Sequence, residues 1–368
     1  MPSSAAAAGR AETGRSSIFA ELRALWLANG DLVRTPLLVP SFSSKGFAQV
    51  GAAPMRSEVS DVLDFFADQL TESFLVSAYD LHAGLLEAGD TFADPDWSAS
   101  PLSRPRVLFL DSGGYEVRMG TDGGELVQDL RAPASRWNEE DHRAFLDRLP
   151  EAAQNVAAVS WDREGVDYVE QVAQAQALLG GRPNIASVVL LKPTEAGGTH
   201  LLTELEPVAS RLAAFEVVGV TEHELGGSLL ERVEAVMNLR QLLTRASLDT
   251  PIHVFGALDP LYVPLYFAAG ADIFDGLTWL RYAYWHGVAL HREQGGLLDG
   301  LLEPREDVRR HVVLTRNVNA LGQLRTKLQR FVQEGEWGVF SDDAIRNGQQ
   351  GLGEVLRDAY LSAMARRA

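Results

Sequence analysis

The 368-residue chain has no cysteine, which excludes disulfides and any cysteine-ligated zinc or iron–sulfur centre. It also lacks apolar runs long enough to cross a bilayer as a helix, which takes ~20 residues. No GxGxxG follows an early strand-like run, so the usual mark of a doubly wound dinucleotide-binding sheet is missing. There is no HExxH and no pair of histidines at helical spacing. His223 stands between Glu222 and Glu224 without further ligands, so neither a metal nor another cofactor is expected. Positive charge is scarce: 33 Lys and Arg face 50 Asp and Glu, a net −17, which argues against a protein that coats nucleic acid indiscriminately. Residues 1–17, MPSSAAAAGRAETGRSS, have arginines but no apolar segment of a secretory signal. They read as a disordered tail, and a cytoplasmic location is the default expectation.

What the chain does have is apolar content, at 46% of residues, and strand-like runs at regular intervals. Eight runs stand out: Thr35–Phe42, Ser73–Tyr79, Val107–Leu110, Val156–Trp161, Ala186–Leu191, Phe215–Val220, Ile252–Phe255 and Ala271–Phe274. Most are continuous rather than alternating, as expected for parallel strands covered on both faces. Patterns of helical period separate them, clearest in Val59–Leu70, Asp141–Leu149, Val166–Leu179 and Leu229–Leu243. Eight strands alternating with helices predict an α/β protein, a (β/α)₈ TIM barrel over residues 18–296. A helical C-terminal extension follows over 297–368, with helices Val318–Val332 and Asp342–Ala365 on either side of a Gly335–Phe340 loop that carries Trp337.

A barrel of this kind builds its site at the C-terminal ends of its strands. Those ends supply Asp111, Asp162, Lys192, Thr221 with Glu222, Gly256 and Asp275. The third strand ends most abruptly, in Asp111-Ser112-Gly113-Gly114-Tyr115. Its glycines admit a ligand close to the backbone, and Tyr115 offers a stacking face. The eighth closes with Ala271-Asp272-Ile273-Phe274-Asp275. Two strand-end carboxylates suit a double displacement at a sugar carbon, one as nucleophile and one as acid then base. The plainer roles for such aspartates are capping a helix and satisfying turn amides.

These two segments resemble motifs of the tRNA-guanine transglycosylase superfamily: DSGGY is similar to its DSGGF/Y motif, and ADIFD to its DMFD segment. Weaker matches run through Thr35-Pro36, Trp161-Asp162, Val254-Phe255-Gly256 and Asp259-Pro260, so the resemblance covers roughly residues 35–290. It implies Asp275 as nucleophile and Asp111 as general acid/base. It implies a base pocket in which Tyr115 stacks, Asp162 accepts hydrogen bonds from guanine, and Ser112, Gly113, Gly114, Lys192 and the backbone at Gly219 line the rest.

The departures from the family are as informative. Members acting on tRNA carry a cysteine-rich zinc site after the barrel, and this chain has no cysteine. They also follow the nucleophile with an arginine-rich segment, where this chain reads Gly276-Leu277-Thr278-Trp279-Leu280-Arg281-Tyr282-Ala283-Tyr284-Trp285-His286-Gly287. In lacking the zinc cysteines the chain resembles the DNA 7-deazaguanine transglycosylase branch. The implied reaction is exchange of guanine in DNA for a 7-deazaguanine base, with a helper protein that opens the duplex. The alternatives are a tRNA substrate, a non-catalytic partner subunit, or a glycosidase acting on a small substrate. Phosphate contacts are expected from Arg281 and from the segment Arg305–Arg330, where seven basic residues against two acidic ones give a net +5 in an otherwise acidic chain. Arg325, Lys327 and Arg330 are the candidates within it. The aromatic stretch Trp279–Trp285 is either a stacking surface for an extruded strand or part of the packed core.

Overall fold

Along the barrel strands, odd and even residues face two different apolar environments, which is why the runs read as continuous rather than alternating. A computed structural model describes residues 18–46, 58–87, 97–114, 137–298, 300, 305–341, 346–347 and 350–367. A short antiparallel hairpin, β1 (Ala24–Trp26) and β2 (Leu32–Arg34), comes first. Eight parallel strands then close on themselves: β3 (Leu37–Phe42), β4 (Ser73–Ser77), β5 (Val107–Asp111), β6 (Val156–Val159), β7 (Ala186–Leu191), β8 (Val217–Thr221), β9 (Ile252–Phe255) and β10 (Ile273–Gly276). Neighbours in space are neighbours in sequence, and β10 closes the ring against β3 with Asp275 beside Val39. Helices α1 (Glu58–Phe66), α2 (Ala78–His82), α3 (Glu139–Leu146), α4 (Tyr168–Leu179), α5 (Leu202–Leu205), α6 (Leu229–Arg245) and α7 (Val263–Ala268) lie between the strands. The protein is a (β/α)₈ barrel, and each of the eight strand-like runs overlaps one barrel strand.

The interior is filled by one parity of each strand. Leu37, Val39, Leu75, Val107, Phe109, Ala157, Val159, Val188, Val217 and Ile273 pack together inside. Leu38, Phe74, Leu108, Leu110, Ala158, Val189, Val218, Val254 and Phe274 face the surrounding helices. The parity of Val107 and Phe109 carries on to Asp111, and that of Ile273 to Asp275. The helices start where local chemistry caps them: Asn138 and Asp141 form a capping box on α3, Ser228 and Glu231 on α6, and Asp167 accepts from the Glu170 amide on α4.

The N-terminal hairpin is too short to show in the sequence pattern, yet Leu25, Leu27 and Val33 plug the floor of the barrel. Beneath that floor, Asp272 is fully buried between two arginines. Arg23 Nη1 lies 3.1 Å from one carboxylate oxygen and Arg240 Nη2 2.7 Å from the other, which also accepts the Ile252 amide at 2.8 Å. Burial holds the Arg240 guanidinium down to about 10, against the pull of Asp272. The first aspartate of the ADIFD segment is therefore structural.

After β10 come α8 (Thr278–Arg281), a second hairpin of β11 (Tyr282–Trp285) and β12 (Val288–His291), α9 (Arg292–Leu298), α10 (Glu306–Glu334) and α11 (Leu352–Arg366). The helix expected at Val318–Val332 is the C-terminal half of α10, whose polar, arginine-rich start hides its period. Gly335, at φ 70°, ends it. The helix expected from Asp342 begins at Leu352, and residues 342–345 and 348–349 lie outside the described residues. The tail of residues 1–17 lies outside them too. The boundary expected at 296 falls within α9. Beyond it, Leu321, Leu328, Phe331, Trp337, Leu356 and Tyr360 join the outer core of the barrel, and the Tyr360 hydroxyl donates to the Ala268 carbonyl at 3.1 Å.

Replacing Asp272 with alanine leaves two buried guanidiniums without their counter-charge. It is expected to cost about 3–5 kcal/mol of stability, read as a lowered midpoint of denaturant unfolding. An unchanged midpoint would contradict the role given to this cluster.

Candidate active site

Asp275 sits at the inner face of β10, where the barrel opens, and is 6% exposed. Among the described residues three donors reach it. The Ser41 hydroxyl donates to Oδ2 at 2.8 Å, and Oδ1 lies 3.0 Å from His253 Nε2 and 3.1 Å from the Gly256 amide. Gly256 has φ 82°, a left-handed conformation that suits glycine and aims its amide at the carboxylate. The loop after β3 is fixed nearby. Ser44 donates its amide to Asp80 Oδ2 and its hydroxyl to Oδ1, both at 2.6 Å, and Asp80 is fully buried. Sequence reasoning missed Ser41, Asp80 and His253. The signal available was a polar residue at an inward position of an otherwise apolar strand, for Ser41 and His253.

Asp111 ends β5 on the inner face. Its Oδ2 accepts the Gly113 amide at 3.2 Å, closing a turn on the carboxylate. Gly113 has φ 85°, and a Cβ there would fall 2.6 Å from the Cβ of Tyr79. Trp137 braces the same turn by donating its indole N–H to the Ser112 carbonyl at 2.9 Å. Asp162, just past β6, meets the turn directly, since the Ser112 hydroxyl donates to its Oδ1 at 3.0 Å. A Cβ on Gly114 would stand 2.6 Å from the Asp162 carboxylate carbon. The two glycines thus serve different ends: one shapes the turn, the other makes room for a second carboxylate.

Lys192, at the end of β7, is buried beside these groups. Its ammonium lies 2.8 Å from Glu224 Oε1, 3.0 Å from the Thr221 hydroxyl and 3.7 Å from Asp162 Oδ2. Gln171 holds its backbone on both sides, donating to the Lys192 carbonyl and accepting from its amide, each at 2.9 Å. One buried cation therefore serves two carboxylates, and Glu224 joins the site unforeseen. Its neighbour Glu222 turns away to accept from the Tyr266 hydroxyl at 2.7 Å and to pair with Arg232 at 3.0 Å.

Other expected residues land differently. Gly219 lies inside the barrel on β8, where a Cβ would come 2.6 Å from the Phe255 ring, so it makes room for that ring. Tyr115 lies outside the described residues. Arg281 donates to the Lys45 carbonyl at 3.3 Å, which sets it by the loop after β3 at the open end of the barrel. The aromatic stretch after β10 divides. Trp279 is fully buried and donates to the Ser41 carbonyl, and Tyr284 is buried and donates to the Leu258 carbonyl. Tyr282, 40% exposed, and half-buried Trp285 are what the stretch offers outward.

The basic residues expected on α10 lie toward two different ends of the barrel. The helix runs down the outside of the barrel. Arg310 pairs with Glu58 and Asn317 holds the Trp279 and Tyr282 carbonyls near the open end. Arg325 instead binds the Pro36 carbonyl at 3.1 Å and Glu72 at 3.1 Å, both at the N-terminal ends of their strands. Arg330 pairs with Glu334 at 3.0 Å, further along. Arg325, Lys327 and Arg330 thus sit toward the floor, away from Asp111 and Asp275. The overall basic count of the segment concealed that its two halves face different ends.

A closed parallel barrel whose strand-end carboxylates gather on one rim defines a class of enzyme scaffold suited to transfer at a sugar carbon. No protein-family profile matches the chain. It is similar to the tRNA-guanine(15) transglycosylase of Aeropyrum pernix, with 26% identity over 189 residues, which make up 50% of this chain and 34% of that enzyme. The similarity supports kinship with the transglycosylase superfamily and spans about a third of the relative's length. Among the described residues, no group of three or more His, Asp or Glu side chains could hold a metal ion, and no helix is long and apolar enough to cross a membrane.

Gly114→Ala is expected to displace Asp162 while leaving the fold intact. The measurements are binding of free guanine by calorimetry, expected to weaken at least about tenfold from loss of a buried charge-assisted contact, and an unchanged melting temperature. Guanine binding at the wild-type level would contradict the role expected of Asp162.

Proposed function

We propose that the protein is a base-exchange transglycosylase, a pentosyltransferase that replaces guanine in a nucleic acid with a 7-deazaguanine base. One observation carries the reading: a single turn, Asp111–Gly114, binds one carboxylate through Gly113 and a second, Asp162, through Ser112. That turn fixes a proton-transfer group and an acceptor-only base reader together, on the same rim as the carboxylate of β10. An ionised carboxylate suits the N1–H and amino group of guanine because both are donors. A glycosidase needs the catalytic pair but has no use for this third carboxylate.

In the first step an Asp275 oxygen attacks C1′ and the bond from C1′ to the base nitrogen breaks. The electron pair leaves with the base, which takes a proton from Asp111. In the second step Asp111 removes a proton from the incoming base. The nitrogen so exposed attacks C1′, and the ester bond to Asp275 breaks to restore the carboxylate. Lys192 and Glu224 hold the side of the pocket beyond Asp162.

DNA is the polymer favoured here, because the chain has no cysteines for the zinc-bound docking element implied by the family's tRNA-acting members. A duplex target must then be opened and its base extruded, at a cost of a few kcal/mol, which is where a helper protein would act. Phosphates would meet Arg281, Lys45 and the rim-side start of α10. A tRNA substrate is the second reading, favoured by the name of the Aeropyrum relative. A cytoplasmic location accords with either polymer.

Incubation with labelled guanine and separate DNA and tRNA pools tests the proposal. Label is expected in DNA above tRNA, and Asp275→Asn is expected to abolish incorporation. Label in neither pool would overturn the exchange reading, and label in tRNA alone would reverse the choice of polymer. Asp162→Ala is expected to reduce the preference for guanine over adenine by about 1–3 kcal/mol, read from competition between the two bases. An unaltered preference would remove Asp162 as reader.

A further inference from the structure

The double displacement leaves one buried group beside the nucleophile unused. His253 is the second residue of β9 and is fully buried in the barrel interior. Its Nε2 lies 3.0 Å from Asp275 Oδ1. The ring stacks on Phe255 with centroids 3.8 Å apart and planes 20° apart, and Phe109 meets it edge-on at 5.1 Å. Gly219 stands behind Phe255, where any Cβ would collide with that ring. His253 Nδ1 has no hydrogen-bond partner among the described residues.

These contacts specify a protonation state. A carboxylate can only accept, so the nitrogen facing Asp275 must carry the hydrogen. A second N–H at Nδ1 would be a buried, unsatisfied donor on a charged ring, costlier than a bare lone pair in the same place. The hydrogen facing Asp275 therefore sits on Nε2. Of the charged groups around it, Asp275 on β10 is in contact, Asp111 ends β5, and Lys192 beyond β7 is committed to Glu224 and Asp162.

We infer that His253 is a positioning residue that selects which oxygen of Asp275 attacks. Its Nε2–H and the Gly256 amide together occupy Oδ1, while Oδ2 takes a single donor from Ser41 and keeps a lone pair for C1′. Bond formation then occurs at Oδ2. When the arriving base displaces the ester, the same two N–H groups stabilise the returning charge on Oδ1. The inference rests on the reading of Asp275 as nucleophile.

Two measurements test it. Histidine ¹⁵N spectra of the full chain without substrate, assigned by the signal lost in His253→Gln, should show a protonated Nε2 and a bare Nδ1. An imidazolium, or the Nδ1–H tautomer, would overturn the inference. Single-turnover adduct formation is then compared in two variants. His253→Gln keeps an N–H near the same place and is expected within about threefold of wild type, whereas His253→Phe keeps ring volume and loses the donor. For His253→Phe a roughly 10- to 100-fold slower adduct step is expected, the worth of a hydrogen bond to a charged group. Free-guanine binding should be unchanged. Equal rates for His253→Phe and wild type would overturn the inference, as would a His253→Gln as slow as His253→Phe. If wild type exchanged no base in either polymer, the base-exchange reading would fall. The tautomer would then decide alone whether His253 serves Asp275.

Discussion

The apolar interior of the closed barrel governs where charge can stand in this protein. Every second residue of β3–β10 faces a space filled by Leu, Val, Ile and Phe side chains, in which an unpaired carboxylate would be very costly. Among the described residues, inward or buried carboxylates stand at the two ends of the barrel. One is the floor, where Asp272 lies between Arg23 and Arg240. The other is the open rim, where Asp111, Asp162 and Asp275 meet loop amides, hydroxyls and the buried ammonium of Lys192. Asp272 and Asp275 are three residues apart, about 10 Å along a strand. One is locked by two cations and the other accepts from groups that carry no permanent charge.

That contrast separates structural from reactive carboxylates. Two guanidiniums hold Asp272 so firmly that it has no freedom to form a covalent bond. Asp275 receives a hydroxyl, an amide and an imidazole, which orient it without binding it in an ion pair to a permanent cation. Asp162 shares Lys192 with Glu224, so two carboxylates stand against one ammonium on this side of the rim. The reacting side of the pocket and the reading side are thus set by different electrostatics on one rim.

Much of this was legible from residue order. The eight apolar runs, the carboxylates at their ends and the glycine pair after Asp111 sufficed for the barrel and its rim, because strand parity and loop chemistry are local properties. What escaped depended on three-dimensional closure. The β1–β2 hairpin is three residues per strand, too short for a period, and matters only because the barrel has a floor. His253 reads as one polar residue in an apolar run until β9 and β10 pair and bring it to Asp275. The direction of α10 is invisible in a count of arginines, so the sequence could not tell that Arg310 and Arg325 lie toward opposite ends of the barrel. For Trp279 and Tyr284 the sequence left stacking surface and packed core open, and their polar atoms tie the segment after β10 to the barrel wall.

The central claim is that Asp275 becomes covalently bonded to the sugar while Asp111 only moves a proton. The most direct test is to quench wild-type protein on a guanine-containing strand in the absence of an incoming base, digest both components and map the modified residue by mass spectrometry. The account predicts a pentose fragment on the peptide containing Asp275 and an unmodified Asp111 peptide. A sugar on Asp111, or exchange of label with no modified carboxylate at any quench time, would contradict it.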